Sequence, residues 1–77
     1  YNANPASLAA AIDTLAAMPG ASWIVLGDMR ELGPEAASLH AQAGERAKAA
    51  GIARLYTLGP LSAAAAEAFG AGARHFH

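Results

Sequence analysis

Apolar and polar positions alternate along the chain between two periods, one helical and one strand-like. Leu8, Ile12 and Leu15 recur at spacings of four and three, which draws one apolar stripe along a helix. Asn4 and Pro5 open that helix. Asn is a favoured N-cap, and Pro is preorganised for the first helical position. The alanines between the stripe positions add helix propensity, and Pro19-Gly20 ends the segment. Trp23-Ile24-Val25-Leu26 is then a continuous apolar run with two β-branched members. Such a run predicts a strand buried on both faces, as in parallel sheets. Gly27 closes it, and residues 28–33 form a polar loop.

Pro34 is expected to start a second helix, with Leu39, Ala43, Ala47 and Ala50 on its apolar side and Gly51 as its C-terminal stop. Leu55-Tyr56-Thr57-Leu58 reads as the next strand, closed by Gly59-Pro60. Residues 62–69 form an alanine-rich third helix ended by Gly70, and residues 74–76 begin a further strand. The order of helix, strand, helix, strand, helix, strand implies an α/β fold with a parallel sheet and right-handed crossovers. Tyr1-Asn2-Ala3 reads as the end of a preceding strand. The pattern is expected to be one partial domain, a piece of a larger one.

Composition narrows the function little. The chain has 77 residues, 55% of them hydrophobic and 14% charged, which is globular rather than disordered. A domain this small buries only about 60% of its unfolded surface. It holds no cysteine, which excludes a disulfide framework and a thiolate metal site and fits a reducing cytoplasm. The net charge is −1 and the five Lys and Arg residues are scattered, so no nucleic-acid footprint is expected. No apolar run approaches the roughly 20 residues of a membrane span.

Chemistry is expected at the carboxyl rim of the sheet, where ligands of open parallel sheets bind. Three segments run from a strand into a helix there: residues 1–4, 27–33 and 59–61. The first two are polar, with Tyr1, Asn2 and Asn4, then Asp28, Arg30 and Glu31. The third offers almost nothing polar. Each has a plainer reading. Asn4 caps its helix, Asp28 shapes a turn, Arg30 and Glu31 are solvated loop charges, and His40 is a surface or packing residue. His75 and His77 would share one side of a strand, but two histidines without a carboxylate partner make a poor zinc site. The chain lacks a G-x-x-x-x-G-K-[ST] phosphate loop and a nucleophile elbow. Gly70-Ala71-Gly72 follows a helix rather than a strand and is not a dinucleotide fingerprint.

Tyr1-Asn2-Ala3-Asn4-Pro5 with Ser7 resembles a segment of the Mur ligases. Gly27-Asp28-Met29 with Glu31-Leu32-Gly33 is similar to a second segment of the same family. His40 followed by Gly44, and Ala47-Lys48-Ala49-Ala50-Gly51, extend the likeness over essentially the whole chain. The resemblance implies the N-terminal portion of a Mur ligase C-terminal domain, a Rossmann-like three-layer unit with a parallel sheet. It further implies an ATP-dependent amide ligase of peptidoglycan synthesis as the full-length parent. Within the family the motif pair looks like the branch that joins D-alanyl-D-alanine to UDP-N-acetylmuramoyl-tripeptide through an acyl phosphate. ATP and Mg would be held mainly by a central domain outside this chain. By resemblance, Tyr1, Asn2 and Asn4 would face the nucleotide and the interdomain cleft, and Asp28 and Glu31 would lie on the amine-substrate loop. No residue of this chain is expected to be catalytic or to bind metal. The alternatives are a non-catalytic α/β binding module and another Mur or folylpolyglutamate-type ligase.

Overall fold

The computed structural model describes residues 4–76, so Tyr1, Asn2 and His77 lie outside the described residues. Helix α1 runs Pro5–Ala17. Its cap follows the sequence expectation: Asn4 is extended, and its Oδ1 accepts the Ser7 amide proton at 2.9 Å. Leu8 and Ile12 form its buried stripe. Strand β1 is Trp23–Gly27, helix α2 is Ala36–Ala49, strand β2 is Arg54–Leu58, helix α3 is Ala63–Phe69, and strand β3 is Ala73–Phe76. The three strands lie in the order β1-β2-β3 and both pairings are parallel, with Trp23 opposite Arg54 and Leu55 opposite Ala73. The α/β fold with a parallel sheet is therefore present, and the last strand is real.

Two expectations are corrected. The β1 run is not buried on both faces. Ile24 and Leu26 are in the core, whereas Trp23 and Val25 are 65% and 61% exposed. The cause is topological. Strands added in sequence on the same side, joined by crossovers of one hand, place their connecting helices on one face. Accordingly α2 and α3 pack against each other over the face that carries Ile24, Leu26, Leu55 and Thr57. The opposite face shows Trp23, Val25, Leu58 and Phe76, with the Trp23 ring meeting Tyr56 edge-on at 5.9 Å between centroids.

The second correction concerns α2. Pro34 sits in a short 3₁₀ turn, Gly33–Glu35, and the α-helix proper begins at Ala36. Its buried residues are His40, Gly44 and Ala47, while Ala43 and Ala50 are partly buried against the core and Leu39 is partly buried. Gly51 ends the helix with φ +87°. Its amide donates to Lys48 O and the Ile52 amide to Ala47 O, both at 3.1 Å. This is the Schellman arrangement that glycine permits.

Helices α1 and α2 run side by side in the same sense. Pro5 and Leu39 line one small cleft of about 130 Å³ near their starts, and Asp13 pairs with Arg46 at 2.6 Å nearer their ends. The start of α1 therefore lies toward the end where β1 delivers its loop into α2. At the other end, Ser22 O accepts the amide protons of Ala53 and Arg54 at 3.0 and 3.3 Å.

Candidate functional site

The carboxyl rim is built from the loops that leave β1 and β2. Asp28 follows Gly27 at the end of β1. Its Oδ1 accepts the Ser62 amide proton at 2.8 Å and its Oδ2 the Leu61 amide proton at 3.1 Å. Those amides belong to the approach to α3, so one carboxylate ties the first loop to the second. Gly59 is required for this closeness. Its φ is +107°, and a Cβ there would lie 2.6 Å from Asp28 Oδ1. Burial raises the carboxyl pKa, but the donations from Leu61 and Ser62 outweigh it and hold Asp28 below its ordinary value. Ser62, fully buried, donates its hydroxyl proton to Gly59 O at 3.1 Å and tightens the same turn.

Met29 turns inward and is fully buried, and its amide proton goes to His40 Nε2 at 2.9 Å. An amide can only donate, so Nε2 must offer a lone pair and the imidazole proton sits on Nδ1. That Nδ1–H donates to Ala36 O at 2.7 Å, one turn back in α2. The histidine is thus neither a surface residue nor mere filling. It joins the loop after β1 to the first turn of α2.

Beyond these two anchored residues, Arg30 and Glu31 face solvent. Glu31 has φ +62°, a left-handed conformation unusual for a residue with a side chain. Leu32 then packs against the core. Asn4, Asp28 and Glu31 are the described members of the candidate set, and all three lie toward the same end of the fold. Tyr1 and Asn2 lie outside the described residues. The sequence reading found Asp28 and Glu31 but missed what holds them. In the sequence His40 has the character of a surface or packing residue, and residues 59–61 offer almost nothing polar, because that loop contributes through backbone amides and the Ser62 beyond it.

The rim does not fit a metal or a triphosphate by itself. Among the described residues, no three His, Cys, Asp or Glu side chains are placed to hold a metal ion, and both Asp28 oxygens are occupied by backbone amides. Residues 27–33 contain only Gly27 and Gly33 as glycines, too few for a phosphate cradle. His75 lies on the covered side of β3, its Nδ1 2.6 Å from the Thr57 hydroxyl oxygen. On the open face, Arg54 and Arg74 share a shallow depression of about 290 Å³ with Tyr56. Among the described residues no helix is long and apolar enough to cross a membrane.

Comparison with known proteins supplies the family. The model of the Mur ligase, glutamate ligase domain matches residues 1–77. The chain belongs to the Mur ligase family. Its relatives include the UDP-N-acetylmuramoyl-tripeptide--D-alanyl-D-alanine ligase of Escherichia coli (strain K12), 51% identical over 76 residues. That stretch is 99% of this chain and 17% of the relative. The protein of the same name from Buchnera aphidicola subsp. Acyrthosiphon pisum (strain APS) is 36% identical over 76 residues, 99% of this chain and 16% of its own length. The one from Treponema pallidum (strain Nichols) is 44% identical over 61 residues, 78% of this chain and 13% of its own length. The chain therefore spans about a sixth of the first two Mur ligases it matches.

Proposed function

We propose that this chain is the N-terminal portion of the C-terminal domain of an ATP-dependent ligase that joins D-alanyl-D-alanine to UDP-N-acetylmuramoyl-tripeptide in cytoplasmic peptidoglycan synthesis. The observation that carries the reading is the 51% identity over 99% of the chain with a ligase of that name. ATP, with Mg, supplies the phosphoryl group that activates the tripeptide carboxylate as an acyl phosphate, and these groups are held mainly by another domain. The present residues position. Tyr1, Asn2 and Asn4 face the nucleotide and the cleft between domains, where amide side chains can both donate and accept. Asp28 shapes the amine-substrate loop through its hold on Leu61 and Ser62. Glu31 is exposed on that loop, and its carboxylate suits the ammonium end of an incoming dipeptide. Bringing amine and activated acyl group together is worth rate by orientation alone, and closure of the domain over the nucleotide excludes water.

The test is a ligation assay with the full-length parent, UDP-N-acetylmuramoyl-tripeptide, ATP, Mg²⁺ and a panel of amines, following phosphate release and the joined product. Turnover with D-alanyl-D-alanine and not with single amino acids is expected. Turnover with a single amino acid instead would assign the chain to another Mur or folylpolyglutamate-type ligase. No turnover with any amine would leave a binding module as the better reading.

A further inference from the structure

We propose that His40 is the positioning residue of the amine-substrate loop: its Nδ1–H tautomer fixes the Met29 amide, and through it the placement of residues 28–31. The inference rests on the ligase reading for the word substrate, but its physical core stands on geometry. The ring is fully buried and bridges two backbone groups, the Met29 amide at 2.9 Å and Ala36 O at 2.7 Å. On the other side of the same loop, Asp28 is held by Leu61 and Ser62. Just beyond these anchored residues, and before the packed Leu32, Glu31 keeps a left-handed φ of +62°, and such a conformation persists only where the surroundings over-determine it. Without the Nε2 acceptor, the Met29 amide is a buried donor with no partner. The loop must then move to find one, because an unpaired buried donor is expensive. Glu31 sits two residues away and moves with it.

The plainer alternative is that His40 only fills volume. Two substitutions separate these. His40→Gln places an amide oxygen near the position of Nε2 and retains an acceptor, whereas His40→Phe retains the ring volume and removes both polar atoms. In the full-length parent, His40→Phe should raise KM for D-alanyl-D-alanine about tenfold while KM for ATP stays within about twofold, since small misplacements of a positioning group are costly. His40→Gln should stay within about threefold of the parent on both. In parent labelled with ¹⁵N-histidine, the long-range ¹H–¹⁵N spectrum should show His40 protonated at Nδ1, with Nε2 as a bare acceptor.

The proposal is overturned if His40→Phe matches the parent, if His40→Gln is as impaired as His40→Phe, or if His40 carries its proton on Nε2. Should His40→Phe fail to fold, the His40→Gln kinetics and the tautomer still decide. A parent that ligates nothing fails the ligase reading, whereas an active parent with the wrong tautomer fails only this one.

Discussion

Gly44 offers the sharpest quantitative test of the packing that supports the rim. It lies on α2 where α3 comes closest, and both Gly44 and Ala65 are buried. A Cβ at Gly44 would lie 2.1 Å from Ala65 O, 2.9 Å from the Ala65 carbonyl carbon and 3.0 Å from its Cα. These are backbone atoms, so no rotamer change relieves the clash. Ordinary contact needs about 3.5 Å, and the helices must therefore part by roughly 1.4 Å at the Ala65 carbonyl. Overpacking of this kind destabilises by roughly 1–3 kcal/mol. Alanine regains about 1 kcal/mol in helix propensity over glycine. Because the clash is against backbone, the upper half of that range applies, about 2–3 kcal/mol, and Gly44→Ala should be net destabilising by about 1–2 kcal/mol. For a domain of this size that lowers Tm by roughly 5–15 °C.

The assay is a pair of melts, thermal and in urea, followed by far-UV circular dichroism on the unmodified chain, Gly44→Ala and Ala37→Gly. Ala37 is an exposed first-turn position of α2, so its change to glycine sets a propensity scale of at most about 1 kcal/mol. If Gly44→Ala raises Tm by as much as Ala37→Gly lowers it, the close approach of α2 and α3 is wrong. The result also bears on the rim, because α3 begins just after the Leu61 and Ser62 amides that hold Asp28.

Asp28→Ala leaves those two amides without their acceptor and should cost about 1–3 kcal/mol in a urea melt; an unmoved midpoint would remove Asp28 as the tie between the loops. The pH dependence has a definite sign. The Asp28 pKa is lower in the folded chain than a carboxylate's ordinary value, so its stabilisation is complete at pH values above the unfolded pKa and disappears as pH falls through the lowered folded value. Asp28→Asn should therefore flatten the acid limb of a stability–pH curve, and an identical limb would contradict the lowered pKa. At Glu31, the left-handed backbone predicts that glycine is tolerated within about 1 kcal/mol, whereas valine costs roughly 1–2 kcal/mol more. Equal melts for Glu31→Gly and Glu31→Val would show that φ at this position is not positive.

The α/β order and the strand positions were legible because each element carries its own local signal. Asn4-Pro5 caps, Pro19-Gly20 stops, and the apolar runs match strand length. What was not legible depends on how elements meet. Whether Trp23 and Val25 are covered is decided by which side of the sheet the crossovers take and not by the run itself. The buried stripe of α2 passes through His40 and Gly44, which hydropathy does not count as core. A helix approached closely by another backbone selects glycine, and a helix that must satisfy a loop amide selects a buried acceptor. Both look like surface residues in a sequence. The rim acids were visible as unusual loop residues, but their division of labour was not, because the Leu61 and Ser62 donors are backbone atoms and carry no residue signature.

That division bears on which side chain is available for a ligand. Asn4 Oδ1 accepts the Ser7 amide proton, which leaves only its Nδ2 for a ligand, and both Asp28 oxygens accept amides near the start of α3 and are committed to the fold. Glu31 differs. It is exposed, and no partner for its carboxylate is present among the described residues. It also stands on a short stretch between the Asp28 and Met29 anchors on one side and the packed Leu32 on the other. A charged side chain on a fixed backbone loses less entropy on meeting a ligand than one on a free loop. On that ground the proposed site gives Glu31, rather than Asp28, the direct contact with a ligand, and gives Asp28 and His40 the task of holding the loop that carries it.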